Sequence, residues 1–112
     1  MVKGIGVDIL SIERVDFKIA RKVLSIEEKE IFDSIENEKL KREYLAERFA
    51  VKEALFKADN SYFNYDQVSI LNDEKGKPYL KDIKVEDLIN VYNEYLKDAV
   101  STTCVLKGEN NG

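Results

Sequence analysis

From about Glu38 to Ala58 the chain runs without glycine or proline and is built mostly from good helix formers, which predicts one long helix. The second half of this helix constrains the fold most. Seven of the ten residues from Phe49 to Ala58 are apolar (Phe49, Ala50, Val51, Ala54, Leu55, Phe56 and Ala58), so the helix there is apolar over most of its circumference and has to be covered by the rest of the chain. The 112 residues leave material for one domain around it and little for a second. A domain of this size buries roughly two-thirds of the surface its unfolded chain exposes, enough for one hydrophobic core without metal or disulfide staples.

The other elements read more locally. Ile5, Val7 and Ile9 alternate with Gly4, Gly6 and Asp8, predicting a strand over Val2 to Ile12 with an acidic residue near its end. Ile12, Val15, Ile19 and Val23 then recur at helical spacing, and Arg14, Lys18, Arg21 and Lys22 fall on another face of that helix. Ser25 with Glu28 three residues on is a capping box opening a short amphipathic helix that breaks near Asn37. Val68 to Leu71 reads as a strand, Asn72 to Lys77 as a turn and Pro78 to Leu80 as its exit. Val85, Leu88, Ile89, Tyr92, Tyr95 and Leu96 fit a helix by period, whereas Ala99 to Leu106 fits a strand, and periodicity does not settle residues 89 to 93.

Composition removes several classes of function. Charged residues at 36% and hydrophobic ones at 44%, with one proline, argue against disorder and low complexity. Eighteen Lys plus Arg against 22 Asp plus Glu give a formal net charge of −4, which argues against whole-surface attraction to nucleic acid or anionic lipid. Without histidine the commonest zinc ligand and general base are missing, and the single Cys104 has no internal disulfide partner. No apolar run approaches the roughly 18 to 20 residues of a membrane span, and the start lacks a signal peptide's pattern; a cytoplasmic address is expected.

The charges set into the apolar half of the long helix carry the candidate chemistry, because burying an ionised group costs several kcal/mol unless it is paired or bound to metal. Glu53 has two readings. Either Lys57, one turn later, supplies an i, i+4 partner, or Asp8 joins Glu53 across strand and helix as two hard oxygen ligands suited to Mg2+, with Arg48, Lys52 and Lys57 nearby as phosphate donors. Asp8 alone also reads as a turn or helix-capping residue. Gly4-Ile5-Gly6 resembles a fragment of a dinucleotide loop, but Ile9 stands where the third glycine belongs and no P-loop pattern occurs, so both readings fail. The basic residues from Arg14 to Lys22 are either a solvated face or a dock for an acidic partner.

Taken together, Gly4-Ile5-Gly6-Val7-Asp8-Ile9, Ile12-Glu13-Arg14, Arg48-Phe49-Ala50-Val51-Lys52-Glu53-Ala54 with Lys57-Ala58, and Gly76-Lys77-Pro78-Tyr79-Leu80 form a recognisable series. The chain resembles the bacterial holo-[acyl-carrier-protein] synthases, small phosphopantetheinyl transferases, over nearly its whole length, 1–112, as a single domain. The helix motif R-F-A-x-K-E-A-x-x-K-A is its most specific part. The resemblance implies an α+β fold, with a small mixed or antiparallel sheet packed against one long helix and shorter ones, and an active site at a homotrimer interface. It further implies transfer of 4′-phosphopantetheine from coenzyme A to a serine of apo acyl carrier protein, with Mg2+, in fatty acid and lipid biosynthesis.

By position Asp8 and Glu53 match the family's metal carboxylates and Lys57 its phosphate-contacting lysine. Arg48, Lys52 and the Gly76-Lys77-Pro78 turn match the coenzyme A neighbourhood, and Arg14, with Lys18, Arg21 and Lys22 beside it, the face that meets the carrier protein. The family's S-x-[ST]-H strand falls on Tyr92-Asn93-Glu94-Tyr95, with Tyr95 at the histidine position near the nucleotide end of coenzyme A. A tyrosine hydroxyl can bond a phosphate, but Glu94 beside it would repel one. The acceptor of the serine proton stays open between Glu53, Asp8 and water of the metal's shell. A non-catalytic carrier-protein-binding module and a generic Mg2+-dependent phosphoryl-transfer protein are the alternatives.

Overall fold

A computed structural model of the protein describes residues 2–76, 78–81, 88–95 and 99–107, with side chains described for residues 4–76 and 78–81. The long helix, α3, spans Glu38–Ala58 as its sequence predicts. Asn37 caps it by accepting from the Leu40 N–H at 3.0 Å, and the Asp59 N–H closes its end on the Leu55 carbonyl at 2.9 Å. Its two halves serve different cores: Leu45, Ala46 and Ala50 pack with Val15, Leu24 and Phe32, whereas Val51, Ala54 and Leu55 pack with Ile70 and Leu80.

Strand β1 (Val2–Ser11) lies against the C-terminal half of α3. Its alternation sorts two faces. The Gly4 and Gly6 face meets the helix backbone so closely that a Cβ at Gly6 would stand 1.7 Å from the Ala54 carbonyl oxygen, and one at Gly4 2.2 Å from that of Ala58. These glycines therefore serve helix–strand contact, and Asp8 continues the same face. The opposite face presents Ile5, Val7 and Ile9, which are 58%, 54% and 64% exposed.

Helix α1 is only Ala20–Val23, preceded by 3₁₀ turns at Ile12–Arg14 and Phe17–Ile19. The single helix expected from Ile12 to Val23 is thus corrected. Val15 leaves the first turn in an extended conformation, buried in the core, and the Asp16 side chain caps a new turn by accepting from the Lys18 N–H at 2.9 Å. Arg14, Lys18, Arg21 and Lys22 consequently do not form one helical stripe, although all four are exposed. Helix α2 (Ile26–Ser34) opens with the predicted capping box, Ser25 N–H to Glu28 at 2.8 Å and Glu28 N–H to the Ser25 hydroxyl at 3.2 Å.

A hairpin of β2 (Ile70–Asn72) and β3 (Pro78–Leu80) follows, turning through Gly76 at a φ of 83°, which suits glycine. The last two elements are strands, β4 (Leu88–Tyr95) and β5 (Ala99–Lys107), in an antiparallel sheet of order β1-β5-β4. Residues 89 to 93, which periodicity left open, lie in a strand: β5 sits centrally and takes β4 as its second partner, with Tyr95 opposite Val100. Val85 and Leu96 lie outside the described residues. Among the described residues no helix is long and apolar enough to cross a membrane.

Candidate active site

The site forms where the carboxylate end of the β1 glycine face meets the last turns of α3. Lys57 Nζ lies 3.0 Å from Asp8 Oδ1 and 3.1 Å from the Val7 carbonyl, so Lys57 crosses to the strand for its partner. Its side chain stays 51% exposed, leaving the cation open to a ligand. Glu53 lies one turn earlier on α3 and is half-buried. Burial, then the neighbouring Glu53 carboxylate, then the charge of Asp8 push the Tyr65 hydroxyl up to about 12. The fold thus brings Asp8 and Lys57 together, with Glu53 one helical turn before Lys57.

Two carboxylates at the rim of a strand and helix suit Mg2+, which takes one or two protein carboxylates and completes its shell with water and substrate phosphate. Among the described residues no group of three or more His, Cys, Asp or Glu converges.

Lys52 is placed elsewhere, and its assignment as a phosphate donor is corrected. It is fully buried, and its ammonium donates to the Val23 carbonyl at 2.6 Å, the Tyr65 carbonyl at 2.8 Å and the Glu28 carboxylate, using all three donors. Burial pulls its pKa down against the opposing pull of Glu28. Glu28 completes the cluster by accepting from the Ile70 N–H at 2.9 Å.

Arg48 is 2% exposed, stacked 4.2 Å over the Tyr44 ring and paired with Glu47 at 2.9 Å. Its other terminal nitrogen donates to Asn72, whose amide donates to the Gly76 carbonyl at 2.8 Å. Arg48 thus reaches the Gly76 turn through Asn72. Pro78 opens β3, Tyr95 closes β4, and Lys77 lies outside the described residues. Arg14 lines an open surface hollow with Phe17 and Arg42.

Two contributors escaped the sequence reading. Glu28 showed only its local capping role, and Tyr65 sits in a loop without periodicity, so nothing in its neighbourhood pointed to Glu53.

Known proteins resemble this chain in sequence and in fold. The 4′-phosphopantetheinyl transferase superfamily model matches residues 4–105. A holo-[acyl-carrier-protein] synthase of Petrotoga mobilis is 44% identical over 92 residues, covering 82% of this chain and 77% of that protein. One of Bacillus pumilus is 37% identical over 97 residues, covering 78% and 79%. The crystal structure of the Bacillus anthracis holo-(acyl-carrier-protein) synthase in complex with CoA (3′,5′-ADP) superposes with a TM-score of 0.86 at 26% identity, covering 97% of this chain and 99% of that one. The chain belongs to the holo-[acyl-carrier-protein] synthase family of the 4′-phosphopantetheinyl transferase superfamily.

Proposed function

We propose that this protein transfers the 4′-phosphopantetheine arm of coenzyme A to a serine of apo acyl carrier protein, releasing adenosine 3′,5′-bisphosphate. The observation that carries this reading is the pairing of Asp8 with the half-exposed Lys57 at the strand–helix junction, with Glu53 one turn before Lys57, in a chain of this family. Asp8 and Glu53 would hold Mg2+. A cation held there would supply positive charge against the pyrophosphate; the serine oxygen attacks one phosphorus as the bridging P–O bond to the departing adenosine 3′,5′-bisphosphate breaks, and the serine proton passes to Glu53, Asp8 or water. Lys57 sets a positive charge against the same phosphates, and its bond to Asp8 holds that charge in place before substrate arrives.

The exposed Arg14, Lys18, Arg21 and Lys22 supply a local positive field on a chain of net charge −4, suited to an acidic face of the carrier protein. The bare face of Ile5, Val7 and Ile9 supports assembly, with a homotrimer as the form the family resemblance implies. A cytoplasmic address accords with this substrate pair.

The test is intact-protein mass spectrometry of apo acyl carrier protein incubated with this protein, coenzyme A and Mg2+. A gain of one phosphopantetheine arm, lost without metal and in Asp8→Ala and Glu53→Ala, is the expected result. Carrier protein that binds but gains no mass would leave a docking module instead.

A further inference from the structure

We infer that Arg42 is a positioning residue for carrier-protein docking: its guanidinium clamps the stretch from Val15 to Phe17 onto α3 and so fixes the backbone that presents Arg14 and Lys18. This rests on the reading of those two cations as part of the face that meets the acidic carrier protein. In place of the helix expected from Ile12 onward stand two three-residue 3₁₀ turns, and such short turns carry few hydrogen bonds of their own, so their shape depends on what holds them from outside. Arg42 holds this stretch at two points. It donates to the carbonyl of Val15, the buried residue that leaves the first turn extended, and its guanidinium lies over the Phe17 ring, 4.5 Å from the centroid.

The clamp is itself fixed. Glu38, one turn earlier on α3, pairs with Arg42 at 3.4 Å, and Phe32 takes the Phe17 ring edge-on, with centroids 5.7 Å apart at 84°. Arg42 thus reaches out from a long helix whose N-terminal half packs in the same core as Val15 and Phe32. A buried carbonyl without a donor is costly, which favours keeping the Val15 contact. Arg14 immediately precedes Val15 and Lys18 immediately follows Phe17, so the two exposed cations stand directly beside the two held points. Arg14 and Arg42 line one surface hollow with Glu13, Asp16 and Phe17. Within this stretch the exposed Glu13 and Asp16 cancel the formal charge of Arg14 and Lys18, so attraction to an acidic face depends on how the backbone arranges these groups and not on their number.

Arg42→Met keeps an unbranched side chain beside Phe17 and removes every donor. Two readouts decide. Amide exchange at Val15, Lys18 and Ile19, whose N–H groups close the two turns, is followed by NMR and requires no carrier protein. The Kd for apo acyl carrier protein comes from titration calorimetry of wild type, Arg42→Met, Arg14→Ala and the double variant, with kcat and KM from the mass assay. The expected result for Arg42→Met is faster exchange at those amides, a Kd and KM for the carrier protein about three- to tenfold higher, kcat and the KM for coenzyme A close to wild type, and a smaller penalty when Arg14 is already alanine. Arg42→Lys keeps the charge but lacks the planar fork that meets carbonyl and ring together, so it should lie between wild type and Arg42→Met; it carries the same test where Arg42→Met lowers the thermal midpoint. Unchanged exchange or unchanged Kd overturns the inference, as does an equal penalty with and without Arg14, which would make Arg42 a direct contact of the partner. Arg14→Ala binding as tightly as wild type removes the reading of this face as the dock, and the inference with it.

Discussion

Helix α3 carries two groups of charged residues within three turns, and they behave oppositely. At Arg48 and Lys52 the cations point inward: Lys52 spends every donor on Val23, Tyr65 and Glu28, and Arg48 is covered by Tyr44, Glu47 and Asn72. At Glu53 and Lys57 the groups sit at the edge of β1, half-exposed, with capacity to spare. A lysine's chemistry is therefore decided by which way its helix turns it. The closed cluster ties α2, β2 and the Tyr65 turn to α3; the open cluster can accept a ligand.

The largest effect should come from the closed cluster. Lys52→Ala leaves the Glu28 carboxylate buried without its cation and is expected to destabilise the protein by about 3 to 5 kcal/mol, read by urea unfolding. Lys52→Met combined with Glu28→Gln should recover part of that loss. A Lys52→Ala variant as stable as wild type would mean that the cluster is not closed in solution.

Lys57→Ala tests the open cluster in the other direction. A half-exposed ion pair contributes at most about 1 kcal/mol, so unfolding should barely change. Turnover should fall by about ten- to a hundredfold as a charge-assisted contact to phosphate is lost. Equal losses of stability and turnover would erase the distinction between the two clusters.

A smaller effect appears in alkali. The Tyr65 hydroxyl ionises near 10.0 in the unfolded chain and at about 12 in the fold. Between these values the folded chain keeps a proton that the unfolded chain has released, so this contribution to stability is complete below pH 10 and is lost as pH rises to about 12. In metal-free urea titrations wild type should lose stability more steeply over that window than Tyr65→Phe; parallel slopes would place the hydroxyl in water. Lys52 has the opposite sign, since its depressed pKa makes stability rise with pH up to the ordinary value of 10.5. The smallest change should follow Tyr95→His, a KM for coenzyme A lower by about two- to fivefold, on the scale of one modest hydrogen bond. An unchanged KM would show that position 95 takes no part in nucleotide binding.

Local signals in the sequence carried much of this structure. Asn37, the unbroken run to Ala58, the Ser25–Glu28 box and the Gly76 turn act within a few residues of themselves, and each predicted element forms there. Asp8, Glu53 and Lys57 stood out because family motifs mark them, and of these the structure pairs Asp8 with Lys57. What was not legible depends on distant partners. Lys52 looked like a ligand donor because its acceptor Glu28 lies 24 residues away, on another helix. Apolar spacing from Ile12 to Val23 suggested one helix, but Asp16 finds its own backbone partner and divides it. The period across residues 88–95 was ambiguous until β5 required a neighbour.

The glycines of β1 carry one further consequence. With peptide against peptide at Gly4 and Gly6, the gap between the strand bearing Asp8 and the helix bearing Glu53 is as narrow as two backbones allow. Side chains elsewhere can be exchanged to alter what docks around the junction, but none lies between these two backbones to adjust its width. The calibration of the site is thus written in main-chain atoms, the part of the molecule that substitution cannot rewrite except by inserting a Cβ and forcing the gap apart.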